Sequence, residues 1–148
     1  MSTQVNETDL NHLEVPIHLW KWKGLAGHFI CASKCAFKLC TVIGEFVVSS
    51  VGAMYVERNG KHVLETIGYA RHYETQVFFK LNDDTIDLDL GIAFMDGLYI
   101  GDDKLNSDFT WDAKAEKMHM DMCLKVASLS REEVETLRQQ AKDCGGFY

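Results

Sequence analysis

The chain has 148 residues, of which 47% are hydrophobic and 25% charged, with one proline and 11 glycines. A globular chain of this length buries roughly 70% of its unfolded surface, so it can fold without metal or disulfides. Its 15 basic and 22 acidic side chains give a net charge of -7. That balance argues against direct nucleic-acid binding and against an anionic membrane as partner, because both use a surplus of Lys and Arg.

The cysteine count and the start of the chain indicate a compartment. No run of about 18 apolar residues predicts a membrane span. The first ten residues lack the basic and apolar regions of a secretory signal. Five cysteines are an odd number, which favours free thiols over a disulfide framework. The sequence therefore predicts a cytoplasmic protein with no cofactor.

Residues 1–14 are polar and lack a sustained period, which predicts a flexible N-terminal tail before a single domain over 15–148. Further along, Val, Ile, Phe, Tyr and Thr are frequent and are interrupted by Gly or Asn, as in strands joined by turns. The predicted strands are 28–32, 35–43, 46–55, 63–69, 73–81 and 85–90, with a short one at 97–101 in a loop over 91–110.

Individual residues refine this prediction. Alternation along the second strand places Cys35 in the core. Gly52 indicates a bulge or a close approach of two backbones. Asn59 and Gly60 tolerate the positive φ angles of a type I′ hairpin turn.

Two helices are predicted at the C-terminus. The first begins with Asp112 as N-cap and runs to about Ala127, with an apolar stripe of Ala115, Met118, Met122 and Val126. The second begins at a capping box formed by Ser130 and Glu133. The sequence thus predicts an α+β fold, in which a twisted antiparallel sheet of five or six strands, open or barrel-like, carries two C-terminal helices on one face.

Histidines and cysteines suggest a metal site, because thiolate and imidazole are the ligands that zinc prefers. The candidate ligands are His28, Cys31, Cys35, His119 and Cys123. Their spacing differs from the close pairs of zinc fingers, and strand alternation separates Cys35 from Cys40. The pattern favours buried free thiols, with His119 on a partly exposed helix face, and no metal.

Nucleophilic catalysis is an alternative use of the same residues. It would pair Cys35 or Cys31 as thiolate with His28 or His119 as base, and it needs the two side chains adjacent in space. The enzyme interpretation is a small hydrolase or transferase using His28, Cys35 and Glu74.

Acidic residues are concentrated in one segment. Residues 83–112 contain nine aspartates and a single basic residue, Lys104. Such a segment is most often solvated turns and a strand face. Its functional alternatives are a cation site, a mimic of nucleic-acid phosphates, or a docking patch for a basic partner, with Asp102, Asp103 and Asp108 as the contact residues.

A polar row along the predicted strand 73–81 is the candidate ligand site. Alternation turns His72, Glu74 and Gln76 away from the core, towards solvent or a ligand. The full predicted set is Arg71, His72, Tyr73, Glu74, Gln76, Ser49 and Ser50.

Several short blocks carry a resemblance: Gly27-His-Phe-Ile-Cys-Ala-x-x-Cys-x-Phe, Val48-Ser-Ser-Val-Gly52, Glu65-Thr-Ile-Gly68 and Tyr73-Glu-Thr-x-Val-Phe78. They resemble blocks of short uncharacterised proteins of bacteriophages, plasmids and related bacterial genomes, over residues 24–80. Ser50 departs from that pattern, which has Thr. The resemblance implies a small accessory protein of a mobile element or phage and carries no known activity.

Together these features predict a non-enzymatic intracellular module that binds or sequesters a host protein or a small-molecule ligand. The sequence leaves the identity of that partner and the oligomeric state open.

Overall fold

A computed structural model describes residues 12–23, 35–65, 67, 71–87, 89–99 and 110–144. Its strands are β1 (Lys21–Lys23), β2 (Cys35–Ile43), β3 (Phe46–Arg58), β4 (Lys61–Glu65), β5 (Tyr73–Phe79) and β6 (Ile92–Leu98). Two helices follow, α1 (Thr110–Ala127) and α2 (Arg131–Asp143), and a short 3-10 turn (Ile17–Leu19) precedes β1.

The strands form one antiparallel sheet in the order β1-β2-β3-β5-β6, and β4 pairs with the far end of β3. β1 and β6 are the two ends of the sheet. The predicted α+β architecture with two C-terminal helices on the sheet is confirmed, and the barrel-like form is wrong because the two end strands do not meet.

β3 changes partner halfway along its 13 residues. Its first part, to Gly52, pairs with β5, and its last part, from Met54, pairs with β4. Ala53 lies between the two parts with a φ of 54°, and its amide donates to the carbonyl of His72. A Cβ on Gly52 would lie 2.9 Å from the carbonyl oxygen of His72, which confirms the predicted close backbone approach at this glycine. It would also lie 2.2 Å from Cδ2 of Tyr73.

The turn after β3 is the predicted type I′ hairpin. Arg58 pairs with Lys61, and Asn59 and Gly60 take φ angles of 53° and 77°. These left-handed conformations match the right-handed twist of the paired strands.

Both predicted helices are present. Ala115, Met118, Met122 and Val126 are all buried, which confirms the stripe of α1. The helix begins at Thr110, so Asp112 lies in its first turn and is not its N-cap. In α2, the Ser130 and Glu133 capping box is present, and Val134 packs into the core.

The main core lies between the sheet and the helices. It contains Ile43, Phe46, Val48, Val77, Phe79, Cys123 and Val126, among others. The second face of the central strands is buried as well: every residue of β5 and the first eight residues of β3 are buried.

One predicted strand and one predicted loop are wrong. The described residues of 85–90 make one bridge, between Ile86 and Lys80, and the Asp87 carboxylate accepts from the amide of Asp89 as in a turn. Conversely, the predicted loop over 91–110 contains β6. The strand predicted at 28–32 lies outside the described residues.

The predicted tail is only partly described, since residues 1–11 fall outside the description. Leu13 packs against the core, and the amide of Val15 donates to the carbonyl of Ala127. Ordered packing thus begins before residue 15. No helix in the described parts of the chain has the length and apolar character needed to cross a membrane.

Candidate functional site

The predicted polar row along 73–81 is buried, so the alternative that it forms a solvated sheet face is wrong. His72, Gln76 and Glu74 are 0%, 3% and 9% exposed. Alternation of apolar and polar residues is typical of an antiparallel strand with one face in solvent. In contrast, β5 lies between β3 and β6 and is covered on both faces.

Arg71 and Glu74 form an ion pair at one end of this row. Nη1 of Arg71 donates to Oε2 of Glu74 at 2.8 Å. Gly97 of β6 leaves room for the arginine, because a Cβ there would lie 2.4 Å from Cδ of Arg71. The ring of His72 faces that of Tyr99, with centroids 5.2 Å apart.

The sheet separates the other predicted ligand residues. Ser49 is in register with Gln76, whereas Ser50 is in register with Thr75 and faces α1. The Tyr73 hydroxyl also faces α1 and donates to Oδ1 of Asp112 at 2.5 Å, which together with burial raises the pKa of that hydroxyl. Seven residues therefore do not form one ligand site.

Gln76 has one unusual feature. Its Nε2 donates to the sulfur of Met95 at 3.4 Å, while its buried Oε1 has no hydrogen-bond partner among the described residues. Among the described residues, the weak acceptor Met95 on the edge strand is the only side chain that hydrogen-bonds the Gln76 amide.

His119 is fully buried, so its predicted partly exposed position is wrong. Its Nδ1 lies 2.7 Å from the Ser50 hydroxyl and its Nε2 lies 2.8 Å from the Thr41 hydroxyl. Ser50 also bonds the hydroxyl of Thr75 at 2.5 Å, and Thr41 hydrogen-bonds the Cys123 thiol. We call these five side chains the His119 network.

Burial sets the chemistry of the His119 network. It lowers the pKa of His119 to about 4 and raises the pKa of the Cys123 thiol to about 12. A serine hydroxyl beside an imidazole resembles a nucleophile and its base, but all five side chains are 0% exposed. The network therefore links β2, β3, β5 and α1 within the core, closed to solvent.

The predicted catalytic set is not assembled by the described residues. Cys35 is buried with Val51 and near Met54, so the expected burial is confirmed. Glu74 is held by Arg71, and His28 and Cys31 lie outside the described residues. This geometry gives the enzyme interpretation no support.

The metal interpretation also gains no support. Within the described ranges, no three His, Cys, Asp or Glu side chains are grouped so that they could hold an ion. Both ring nitrogens of His119 are engaged by hydroxyls, and Cys123 bonds Thr41.

The three aspartates of the predicted partner patch, Asp102, Asp103 and Asp108, lie outside the described residues. Other acidic residues of that segment have structural contacts. Asp83 accepts from the hydroxyl of Thr85, and Asp84 pairs with Lys21, Lys23 and Lys80.

The surface that the sequence reasoning missed is the open edge of β6. No described strand pairs with its outer side. Ile92, Met95 and the adjacent Tyr99 are 39%, 48% and 47% exposed. An edge strand that exposes apolar side chains and unpaired backbone groups is a site for pairing with another chain.

A groove of about 500 Å³ runs between this edge and α1. Its apolar lining is methionine and leucine: Met95, Leu98, Met118 and Met122. Flexible thioether side chains adapt to different bound surfaces. The groove therefore places an adaptable apolar surface directly beside an open strand edge.

Lysines border the groove along α1. Lys114, Lys117 and Lys125 line it together with Asp96 and Asp121. Lys117 pairs with Asp121 at 2.7 Å, and the Lys125 ammonium lies 4.1 Å from the centroid of the Phe94 ring. The helical spacing of these lysines beside the methionine stripe is the signal in the sequence that could have indicated the groove.

Comparison with protein-family models, with curated proteins and with solved structures gives no match to this chain.

Proposed function

We propose that this chain is a small cytoplasmic accessory protein of a mobile element, and that it acts as a non-enzymatic binding module. Its partner is a host protein, which it binds by adding an extended segment of that protein to the outer edge of β6. The observation that carries this proposal is the exposure of apolar side chains along an edge strand with whose outer side no described strand pairs.

Strand addition fits the surroundings of β6. The backbone of the added strand supplies affinity through hydrogen bonds, and its alternate side chains enter neighbouring pockets. One set of side chains would enter the groove against α1, and the other set would point away from α1. The buried state of the His119 network agrees with binding rather than catalysis.

A selection from random ten-residue peptides against the immobilised full chain tests the proposal. Each selected peptide is made in two further forms, with N-methyl groups on the odd or on the even amides. Only alternate amides of an added strand face β6, so one form should lose binding and the other should keep it. Equal behaviour of the two forms would contradict strand addition.

A matched pair of variants locates the site. Met95 and Leu81 are about equally exposed, at 48% and 47%, but only Met95 lines the groove. We expect Met95→Ser to weaken binding of the selected peptides about tenfold, which corresponds to about 1.4 kcal/mol. Leu81→Ser should leave binding unchanged.

A further inference from the structure

We propose that the segment bound along β6 carries two acidic side chains four residues apart with an apolar side chain midway between them. This inference rests on the proposed function and specifies the chemistry of the partner. It follows from the charge and the dimensions of the groove.

The charge of the groove is opposite to that of the chain as a whole. Three lysines and two aspartates line it, whereas the chain has a net charge of -7. Both aspartates already have donors, because Asp121 pairs with Lys117 and Asp96 accepts from the amide of Gly97 at 2.8 Å. An incoming carboxylate therefore meets net positive charge.

Lys125 is the strongest single attraction for that carboxylate. Among the described residues, no carboxylate lies within ion-pair distance of its ammonium, which sits over the Phe94 ring. A cation held over an aromatic face keeps its charge available to an anion on its other side.

The lengths of α1 and of an extended strand define the spacing of the two acidic side chains. Leu98 packs near Met118 and Phe94 lies under Lys125, so α1 and β6 run side by side in opposite directions. Lys117 and Lys125 are separated by about 12 Å along the helix at 1.5 Å per residue. Four residues of an extended strand cover about 13 Å, so acidic side chains at positions i and i+4 reach both lysines.

The methionines occupy the interval between the two lysines. Met118 and Met122 lie within the same stretch of α1 and line the groove. Position i+2 of the bound strand points to the same side as i and i+4. An apolar side chain at i+2 would therefore contact the thioethers.

Three ten-residue peptides test the inference by fluorescence anisotropy with the full chain. All have leucine at position 5 and alternating valine and threonine elsewhere, and positions 3 and 7 are glutamate, glutamine or lysine. We expect the glutamate peptide to bind at least about tenfold more tightly than the lysine peptide at low salt, with the ratio falling as salt screens the charges.

Two variants complete the test. Lys125→Gln should weaken binding of the glutamate peptide several-fold and leave binding of the glutamine peptide unchanged. Lys142→Gln, which removes an exposed lysine at the end of α2, should change the binding of neither peptide.

The possible failures are distinguishable. Equal binding of the three peptides would overturn the acidic specificity and leave strand addition standing. Dissociation constants above about 1 mM for all three peptides would overturn both proposals. A dimer of the chain with protected β6 amides that no peptide displaces would overturn them in favour of a second copy as the occupant.

Discussion

The hydroxyl of Ser50 on β3 lies 2.7 Å from Nδ1 of His119 on α1, with both side chains fully buried. This contact joins the middle of the sheet to the middle of the helix. Since β3 is the central strand and α1 the longer helix, the pair holds together the two layers that border the groove.

Replacing Ser50 with alanine should reduce the free energy of unfolding by about 1–3 kcal/mol, because it leaves a buried ring nitrogen and the Thr75 hydroxyl without this partner. Urea unfolding measures the loss. Ser128→Ala is the control, since that hydroxyl is exposed and bonds the Lys125 carbonyl. Similar small losses for both variants would contradict a structural role for the His119 network.

Stability should depend on pH through His119. Its pKa is about 4 in the folded chain and about 6.5 when unfolded. Between these two pKa values the unfolded chain binds more protons than the folded chain. The free energy of unfolding is therefore highest above pH 6.5 and falls by at most about 3 kcal/mol as the pH drops towards 4. Urea midpoints at several pH values measure this loss.

His119→Gln should be less stable at neutral pH and should have a flatter profile between pH 6.5 and 4.5. The pKa of Glu45 and that of Asp84 are lowered by their Arg and Lys partners, so these carboxyls affect stability at lower pH. An NMR titration of the native chain gives an independent check. A His119 ring that titrates near pH 6.5 would contradict the prediction.

Gly52→Ala should destabilise the chain by about 1–3 kcal/mol through overpacking, because the new methyl group would lie 2.2 Å from Tyr73 and 2.9 Å from the His72 carbonyl. Gly60 is the comparison. It has open space around it but a φ of 77°, so Gly60→Ala should cost about 1 kcal/mol through backbone strain alone.

Asparagine distinguishes the two causes in thermal unfolding. Asn adopts positive φ readily, so Gly60→Asn should recover much of the loss seen with Gly60→Ala. Gly52→Asn should be worse than Gly52→Ala, since a larger side chain meets the same atoms. The opposite order at residue 52 would show that sterics are not the cause there.

Glu45 links the β2–β3 turn to α2, because its carboxylate accepts from both Arg131 and Arg138. These groups are partly or largely exposed, so Glu45→Gln should cost less stability than Ser50→Ala, and the loss should shrink at high salt. Chemical unfolding at two salt concentrations measures it. A loss that salt does not change would contradict an electrostatic link.

Replacing Asp102, Asp103 and Asp108 together with asparagine should leave the melting temperature unchanged or slightly raised, because crowded like charges repel one another. If these residues steer a basic partner, the same change should slow association and reduce its salt dependence. A large fall in melting temperature would instead indicate buried, liganded carboxylates.

Local sequence determined the elements whose signals are themselves local. The Asn59-Gly60 turn, the Ser130 capping box and the methionine stripe of α1 each depend on residues within a few positions of one another. Backbone conformation and helical spacing decide these features directly, so the sequence predicted them.

Only the tertiary structure decided which faces of the strands and helices are exposed to solvent. Alternation along the predicted strand 73–81 turned His72, Glu74 and Gln76 towards solvent or a ligand, but a central strand that is covered on both faces buries both sets of side chains. The same limit applied to Ser50 and His119, which are 69 residues apart and meet only when α1 packs on β3. The groove likewise exists because β6 ends the sheet beside α1, and strand order depends on long-range pairing that no local pattern specifies.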